Sequence, residues 1–571
     1  MSVPTLRQRI KFCAIICSVA PAVVFLRLFY LQTIKHENLS RTASKSFDRL
    51  VSETGPRGRI FDAQGNLLAE SIVTWDCGLM KKELTDPPRD LDALSSVLKV
   101  PRKTLGQRYA GARNYMPVKK GLDRAEYEKL KELKIRGVTL DARQSRYYPS
   151  GSLARGLLGV AGEKGGLSGL ELLYDKVLAG TVSKREVVRD AAGRIIYGDT
   201  LKDGGRPMDL HLTLDKRIQF FAQESVKKYT ESTRAKQGIV IVQDPRSGNI
   251  LAMASWPENL SQVVPVEWVY EPGSTFKAVT FAAALDTDKT SPSETFFCEN
   301  GKWQFAPRVT IGDHEPDGTL TLSQVLERSS NIGTAKLGVK LGLQDFYRYT
   351  KAFGYGTRTG LGFYGESSGI MRPASRYKPV DLAVGSYGHG LAATPIQVVN
   401  SYSAIANGGL LMEPRLVARV SDPSRREARE EKPTVIRRAA GEDAVRTLKK
   451  MLRAVVTKGT GKTAAVPGYS IAGKTGTSKT IDEYGKYVSG KNVASFAGFF
   501  PLEDPLYTIL VIIDQPKAFN YGSETAAPAF REIASRIITA TGLPPDVPEQ
   551  RASGSSGAGR YVARPVEKAH N

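Results

Sequence analysis

The chain has 571 residues, 41% of them hydrophobic and 24% charged, and its 81 Lys and Arg exceed its 58 Asp and Glu to leave a net charge of +23. That is room for several domains with an ordinary globular balance, which excludes a largely disordered chain. The basic excess points to an anionic partner. It is spread along the sequence without a zinc-finger spacing, a basic heptad helix or an aromatic RNA-binding signature, so no nucleic-acid partner is expected.

Residues 12–32 form an apolar run interrupted by Arg27 and Pro21, close to the roughly 20 residues that span a bilayer. Arg7, Arg9 and Lys11 precede it and place residues 1–11 in the cytoplasm, although Lys35, Arg41, Lys45 and Arg49 follow closely. Ala20-Pro21-Ala22 resembles a leader cleavage site, but the apolar run continues to Leu31, which favours an uncleaved anchor. Either reading exports the rest of the chain. The expectation is a single-pass protein of the inner membrane, its bulk on the periplasmic or extracellular side. Cys77 and Cys298 are far apart and make either one disulfide or, more simply, two buried thiols. No paired Cys/His spacing is present, and no metal or cofactor is expected.

Residues 33–205 read as a mixed, non-catalytic module. Gly65-Asn66 between Arg59-Ile60-Phe61 and Leu67-Leu68-Ala69 is a hairpin signal. Residues 88–135 carry a helical apolar period, and 145–180 read as loop followed by helix. A second module, 206–543, opens with a strand and a long amphipathic helix. Two apolar runs around Pro245-Arg246-Ser247-Gly248 then predict a hairpin, and a helix-rich middle covers about 274–460. Strand-like runs at 469–478, 493–501 and 505–514 follow. Strands first, helices inserted and strands last predict an α+β domain, an antiparallel sheet covered by helices. Residues 544–571 are polar and Gly/Ser/Pro-rich and are expected to be disordered.

Three short patterns in this second module can carry chemistry. Ser274 and Lys277 stand three apart at the start of a helical run after Pro272-Gly273. They share a face there, so the amine can reach the hydroxyl and, if burial keeps it neutral, activate it. Ser329 and Asn331 lie in a loop between two helical runs, where a hydroxyl and an amide can enter one cleft. Lys474, Thr475, Gly476 and Thr477 fall on a strand, and a glycine inside a strand marks a close backbone approach. Each pattern alone is weak. Ser96/Lys99, Ser225/Lys228 and Ser375/Lys378 repeat the first, Ser247-Gly248-Asn249 the second, and Arg358-Thr359-Gly360 approaches the third. What separates the set from its decoys is order within one module, each pattern on the element its role needs. That trio belongs to penicillin-binding proteins and class A β-lactamases.

On these residues the chain resembles a class B penicillin-binding protein, and the likeness extends over about 12–540. Arg57-Gly58-Arg59-Ile60 with Asp62, Gly65 and Leu68 resembles the family's first pedestal motif. Arg146-Tyr147-Tyr148-Pro149, Gly169-Leu170-Glu171 and Arg189-Asp190 with Gly193 resemble later ones, and 33–205 would be a dimerisation-like pedestal domain. Glu271-Pro272-Gly273, Gly388-His389-Gly390, Thr394-Pro395-Ile396-Gln397 and Ala406-Asn407-Gly408-Gly409 are also similar to the family's. The resemblance implies a transpeptidase of peptidoglycan stem peptides. Ser274 would attack the penultimate D-Ala carbonyl, and Lys277 would take its proton. Ser329 with Lys474 would protonate the departing D-Ala. Asn331 would orient the peptide amide and Lys277. Lys474, Thr475 and Thr477, around Gly476, would hold the terminal carboxylate, and the N–H groups of Ser274 and Thr477 would form the oxyanion hole. β-Lactams would be covalent inhibitors. Ser386-Tyr387-Gly388-His389-Gly390 looks more like the septal branch than the elongation branch. Septal partners would be a polytopic membrane glycosyltransferase and bitopic division proteins. A DD-carboxypeptidase, a β-lactamase, a penicillin-sensing receptor and a non-catalytic scaffold are the rivals. Only about 11 residues precede the anchor, too few for a signalling part, and the intact trio argues against a scaffold.

Overall fold

The computed structural model describes residues 5–39, 48–53, 56–179, 183–189, 195–202, 207–481, 487–519 and 521–547. The N-terminal helix Leu6–Phe29 continues through a π-helical turn, Tyr30–Ile34. Its stretch Ile10–Ile34 is long and apolar enough to cross a membrane. Phe12 and Phe25 are exposed on it, as a lipid-facing surface requires.

Strands β1 (Gln237–Gln243), β2 (Ile250–Trp256), β3 (Ala472–Ile481), β4 (Tyr487–Phe500) and β5 (Tyr507–Asp514) form one antiparallel sheet in the order β2-β1-β5-β4-β3. Side chains alternate between its faces, and both faces are buried. Ile239, Ile241, Phe499, Leu510 and Ile512 enter one core, whereas Val240, Val242, Phe496, Phe500 and Val511 enter the other. Helices α1 (Lys216–Ser232), α2 (Lys277–Asp286), α3 (Asn331–Leu341), α4 (Pro395–Ala406), α5 (Glu442–Thr457) and α6 (Ala526–Thr541) cover these faces. Ile218 and Val226 of α1 and Phe530 and Ile533 of α6 fill the second core, while Phe281, Ile332 and Ile396 of α2, α3 and α4 fill the first. Burying a side chain of this size contributes about 1.5–3 kcal/mol. The α+β architecture and both hairpins are as the sequence predicts.

The pedestal departs from expectation in three places. The helical reading of 88–135 is broken by a strand, Tyr115–Leu122, between the helices Arg102–Gly111 and Arg124–Glu132. There Met116, Val118 and Leu122 turn inward against Leu91, Leu94 and Leu105, a two-residue period hidden among lysines. Residues 145–147 end the strand Val138–Tyr147, paired with Leu67–Met80, rather than open a loop. The module also does not close at 205. Asp209–Leu212 runs parallel to Ile60–Phe61 and antiparallel to Val417–Asp422, which pairs with Glu427–Glu430. The pedestal sheet thus borrows strands from the expected second module, and Leu157, Leu170 and Leu178 share the core that holds α2.

The helix-rich middle carries small strand pairs, Thr295–Phe297 with Thr319–Thr321 and Lys302–Ala306 with Val309–Gly312. Cys77 and Cys298 are buried and unpaired, which is the two-thiol reading. Of the expected tail, 544–547 are described, and there Asp546 accepts from the Ser470 N–H at 2.8 Å. Residues 548–571 lie outside the described residues, as do Asp190 and Gly193 of the last pedestal motif.

Candidate active site

Ser274 sits on a 3-10 turn, Gly273–Phe276, that feeds α2 at Lys277. The turn is anchored from three sides. Phe276 is fully buried edge-on against Tyr355 and Phe346. Tyr402 Oη of α4 donates to Thr275 O at 2.8 Å. The Gly273 N–H donates to Gly388 O at 3.1 Å. Gly388 has φ +85°, and a Cβ there would lie 2.2 Å from Gly273 O, which is why the loop carries glycine.

Ser329 precedes α3 in the left-handed region, at φ +62°. That conformation is costly for a residue with a side chain, about 1–3 kcal/mol, and such strain collects at functional positions. It aims both oxygens of Ser329 at the lysines. Lys277 Nζ donates to Ser329 O at 2.5 Å, to Ser329 Oγ at 3.3 Å and to Asn331 Oδ1 at 2.9 Å. Lys474 Nζ, arriving from β3, donates to the same Ser329 Oγ at 2.9 Å. Ser329 Oγ in turn donates to Ser274 Oγ at 3.1 Å. The expected direct hydrogen bond from Ser274 to Lys277 is therefore not made. The Ser329 hydroxyl stands between them.

Both lysines are fully buried. Burial pulls Lys277 down to about 7, with the Asp313 carboxylate opposing. Lys474 is pushed well below the ordinary lysine range by burial and then by the Lys277 charge. Two ammonium groups on one hydroxyl in a dry site repel each other, so the cluster holds a neutral amine near neutral pH.

β3 is the edge strand of the sheet. Ser478 Oγ ties it to the chain before Ser274 by donating to Glu271 O at 2.7 Å. Thr475 Oγ1 shares a hydrogen bond with Thr460 Oγ1 at 2.8 Å, and the Gly522 N–H donates to Thr477 Oγ1 at 3.4 Å. A Cβ on Gly476 would meet Ser495 Oγ at 2.3 Å, Thr275 Cγ2 at 2.8 Å and Pro272 O at 3.2 Å. Gly476→Val is accordingly expected to destabilise by about 1–3 kcal/mol and to push β3 off the Ser274 turn. Acylation of Ser274 would then slow while the secondary structure persists. An unchanged melting midpoint and acylation rate would remove this packing argument.

All eight expected residues are thus brought together, and the decoys are not. Ser225 is buried inside α1, while Lys228 pairs with Glu532 on the surface. Ser247 bonds Asp244 within its turn, and Thr359 bonds Glu366. Sequence reasoning missed Asp313. Its carboxylate accepts from the Asn331 and Ile332 N–H groups and from Ser330 Oγ, capping α3. No local signal marks it, because it reaches α3 from a separate strand pair. Glu271 was noticed only as part of a pattern. It is buried, accepts from the Gly390 N–H at 2.7 Å and from Tyr487 Oη at 3.1 Å, and burial raises its pKa.

Residues 238–535 match the penicillin binding protein transpeptidase domain, and residues 52–212 the penicillin-binding protein dimerisation domain. The chain is 29% identical to the stage V sporulation protein D of Bacillus subtilis, over 95% of this chain and 87% of that one. It is 30% identical to the peptidoglycan D,D-transpeptidase FtsI of Escherichia coli, over 93% and 92%. Among solved structures, penicillin binding protein 3 of Mycobacterium tuberculosis superposes with a TM-score of 0.68 at 28% identity, over 87% of this chain and 99% of that one.

Proposed function

Because the chain belongs to the class B penicillin-binding proteins, which join a dimerisation domain to a transpeptidase domain, we propose that it is a serine D,D-transpeptidase that cross-links peptidoglycan stem peptides during septal wall synthesis. The observation that carries this reading is the convergence of all three patterns on one hydroxyl. Ser329 Oγ touches the nucleophile Ser274 and both lysines.

Ser274 Oγ attacks the penultimate D-Ala carbonyl, and its proton leaves toward Lys277. With Lys277 neutral, the Ser329 hydroxyl can turn its own proton to that amine and receive the one from Ser274, so it serves as relay. The N–H groups of Ser274 and Thr477 hold the developing oxyanion. The C–N bond then breaks, and the departing D-Ala takes a proton through Ser329 and Lys474. Asn331 Oδ1 holds Lys277 in place, and Lys474, Thr475 and Thr477 beside Gly476 hold the substrate carboxylate. An amine from a neighbouring stem attacks the ester, forming the new amide and returning the proton to Ser274.

β-Lactams imitate the donor and leave the ester in place. The Mycobacterium tuberculosis relative has been solved with aztreonam. The N-terminal helix anchors the enzyme, with its bulk outside the cytoplasm. Anchor and pedestal are the surfaces for a polytopic glycosyltransferase and bitopic division proteins. The septal branch is supported by the similarity to FtsI and to the sporulation protein.

Fluorescent penicillin on membranes tests this reading. A persistent label is expected. No label would overturn it, and a label lost within minutes would indicate a β-lactamase. On depletion, septal function predicts filaments, whereas spheres would assign the elongation branch.

The pH dependence follows from Lys277, which acts as the base in its neutral form. The acylation rate should rise with pH and level off above about 7. At pH 5 it should stand about a hundredfold below its plateau. A flat profile between pH 5 and 8 would remove Lys277 from the base role.

A further inference from the structure

The pedestal holds a cavity of about 580 Å³ that shares no lining residue with the Ser274 cleft. It is framed by the end of the Val138–Tyr147 strand, the strand pair Ala161–Gly162 and Gly165–Gly166, and the Asp175–Ala179 helix. The carboxylates that line it, Glu163 and Asp175, and the Glu171 carboxylate bonded to its arginines are satisfied from within the protein. Glu171 is fully buried and accepts from Arg57 Nε at 3.0 Å and Arg146 Nε at 2.7 Å. Asp175 accepts from Arg57 Nη1 at 2.6 Å and from the Gly166 N–H at 2.7 Å. Glu163 is held by Arg143 at 2.9 Å.

The cations are not all satisfied. The Arg146 side chain is only 4% exposed, yet among the described residues its Nη2 has no hydrogen-bond partner. Arg155 lies over the Tyr148 ring, 3.5 Å from Cζ to the centroid, and gives Nη1 to Gly159 O. Among the described residues it meets no carboxylate at ion-pair distance, and neither do Lys164 and Lys176 on the same cavity wall. A buried guanidinium edge without an acceptor is costly. Two arginines, one held flat by an aromatic ring, present the planar donors that carboxylate and phosphate groups fit.

We propose that this cavity is a second ligand site, taking an oxyanion, either a carboxylate or a phosphate group, between Arg146, Arg155 and the ammonium groups of Lys164 and Lys176. Two sources carry that chemistry at a wall-building membrane. One is the carboxylate of a stem peptide and the other is the phosphate of a lipid or lipid-linked precursor. The choice of these two sources rests on the proposed function, whereas the oxyanion site itself does not.

The test uses the full chain in detergent micelles with Ser274→Ala to prevent turnover, titrated at low salt with inorganic pyrophosphate and with a peptide ending in D-Ala-D-Ala. Arg155→Gln and the double variant Lys164→Gln/Lys176→Gln are compared in the same background, with melting curves to show that each is folded. Saturable binding of at least one probe is expected, weakened about tenfold in each variant. Because the peptide can also enter the Ser274 cleft, its cavity component is the part that the variants lose. Variant-sensitive binding of pyrophosphate alone assigns the phosphate source, and of the peptide alone the stem. No saturable binding of either probe, or equal binding in folded variants, overturns the proposal.

Discussion

Ser274→Ala is expected to lower the rate of penicillin acylation by about 10⁴-fold or more, because the ester forms on the oxygen that this change removes. The fold should be retained. Among the described residues Ser274 Oγ accepts one hydrogen bond, from Ser329 at 3.1 Å, and Ser329 Oγ keeps its two lysine donors without it. Lys277→Met should cost nearly as much, since nucleophile, relay and base act as one unit and their losses do not add. The measurement is the second-order rate of fluorescent penicillin labelling on each purified variant, with circular dichroism as the folding control. A folded Ser274→Ala protein that still labels at more than a hundredth of the wild-type rate would place the nucleophile elsewhere.

The other large effect lies in the pedestal. Glu171→Ala is expected to destabilise the protein by about 3–5 kcal/mol, because it strips a buried charge of its partner. The loss falls unevenly on the two arginines. Arg57 retains Asp175 at 2.6 Å, whereas Arg146, 4% exposed, is left among the described residues with no carboxylate. Arg146→Met in the Glu171→Ala background should therefore recover part of the loss, which an account based on lost packing volume would not predict. Denaturant midpoints of the single and double variants decide between the two. Leu170 belongs to the core that also packs α2, so the transition is expected to remain a single one for pedestal and catalytic domain. Well below it, penicillin labelling should proceed at the wild-type rate. An unchanged midpoint for Glu171→Ala would show that the cluster is not structural.

Much of the catalytic domain could be read directly. β1 and β5 are runs of Val and Ile whose two faces are both buried, a pattern that local composition signals well. The three catalytic patterns are also short in sequence, and each announces its element through a neighbour, such as Pro272-Gly273 before the turn and Gly476 within the edge strand. The Tyr115–Leu122 strand was not legible. Lysines dilute its two-residue period, and only the facing Leu91, Leu94 and Leu105 show which side is inward.

By itself, then, the sequence determined the anchor and the sheet of the catalytic domain, because periodicity is a property of neighbouring residues, and it singled out Ser274, Lys277, Ser329, Asn331 and Lys474 as candidates through the order of their patterns and the family resemblance. Only the tertiary structure decided how those groups connect. It sets Ser329 between Ser274 and Lys277, brings Lys474 from the distant β3 strand to the same oxygen, and brings Asp313 from the end of a separate strand pair to cap α3. It also showed that the pedestal sheet is completed by Asp209–Leu212 and Val417–Asp422. These are relations between residues far apart in the chain. Their distances, and the burial that pulls the lysine pKa values down, exist only once the segments are packed against one another.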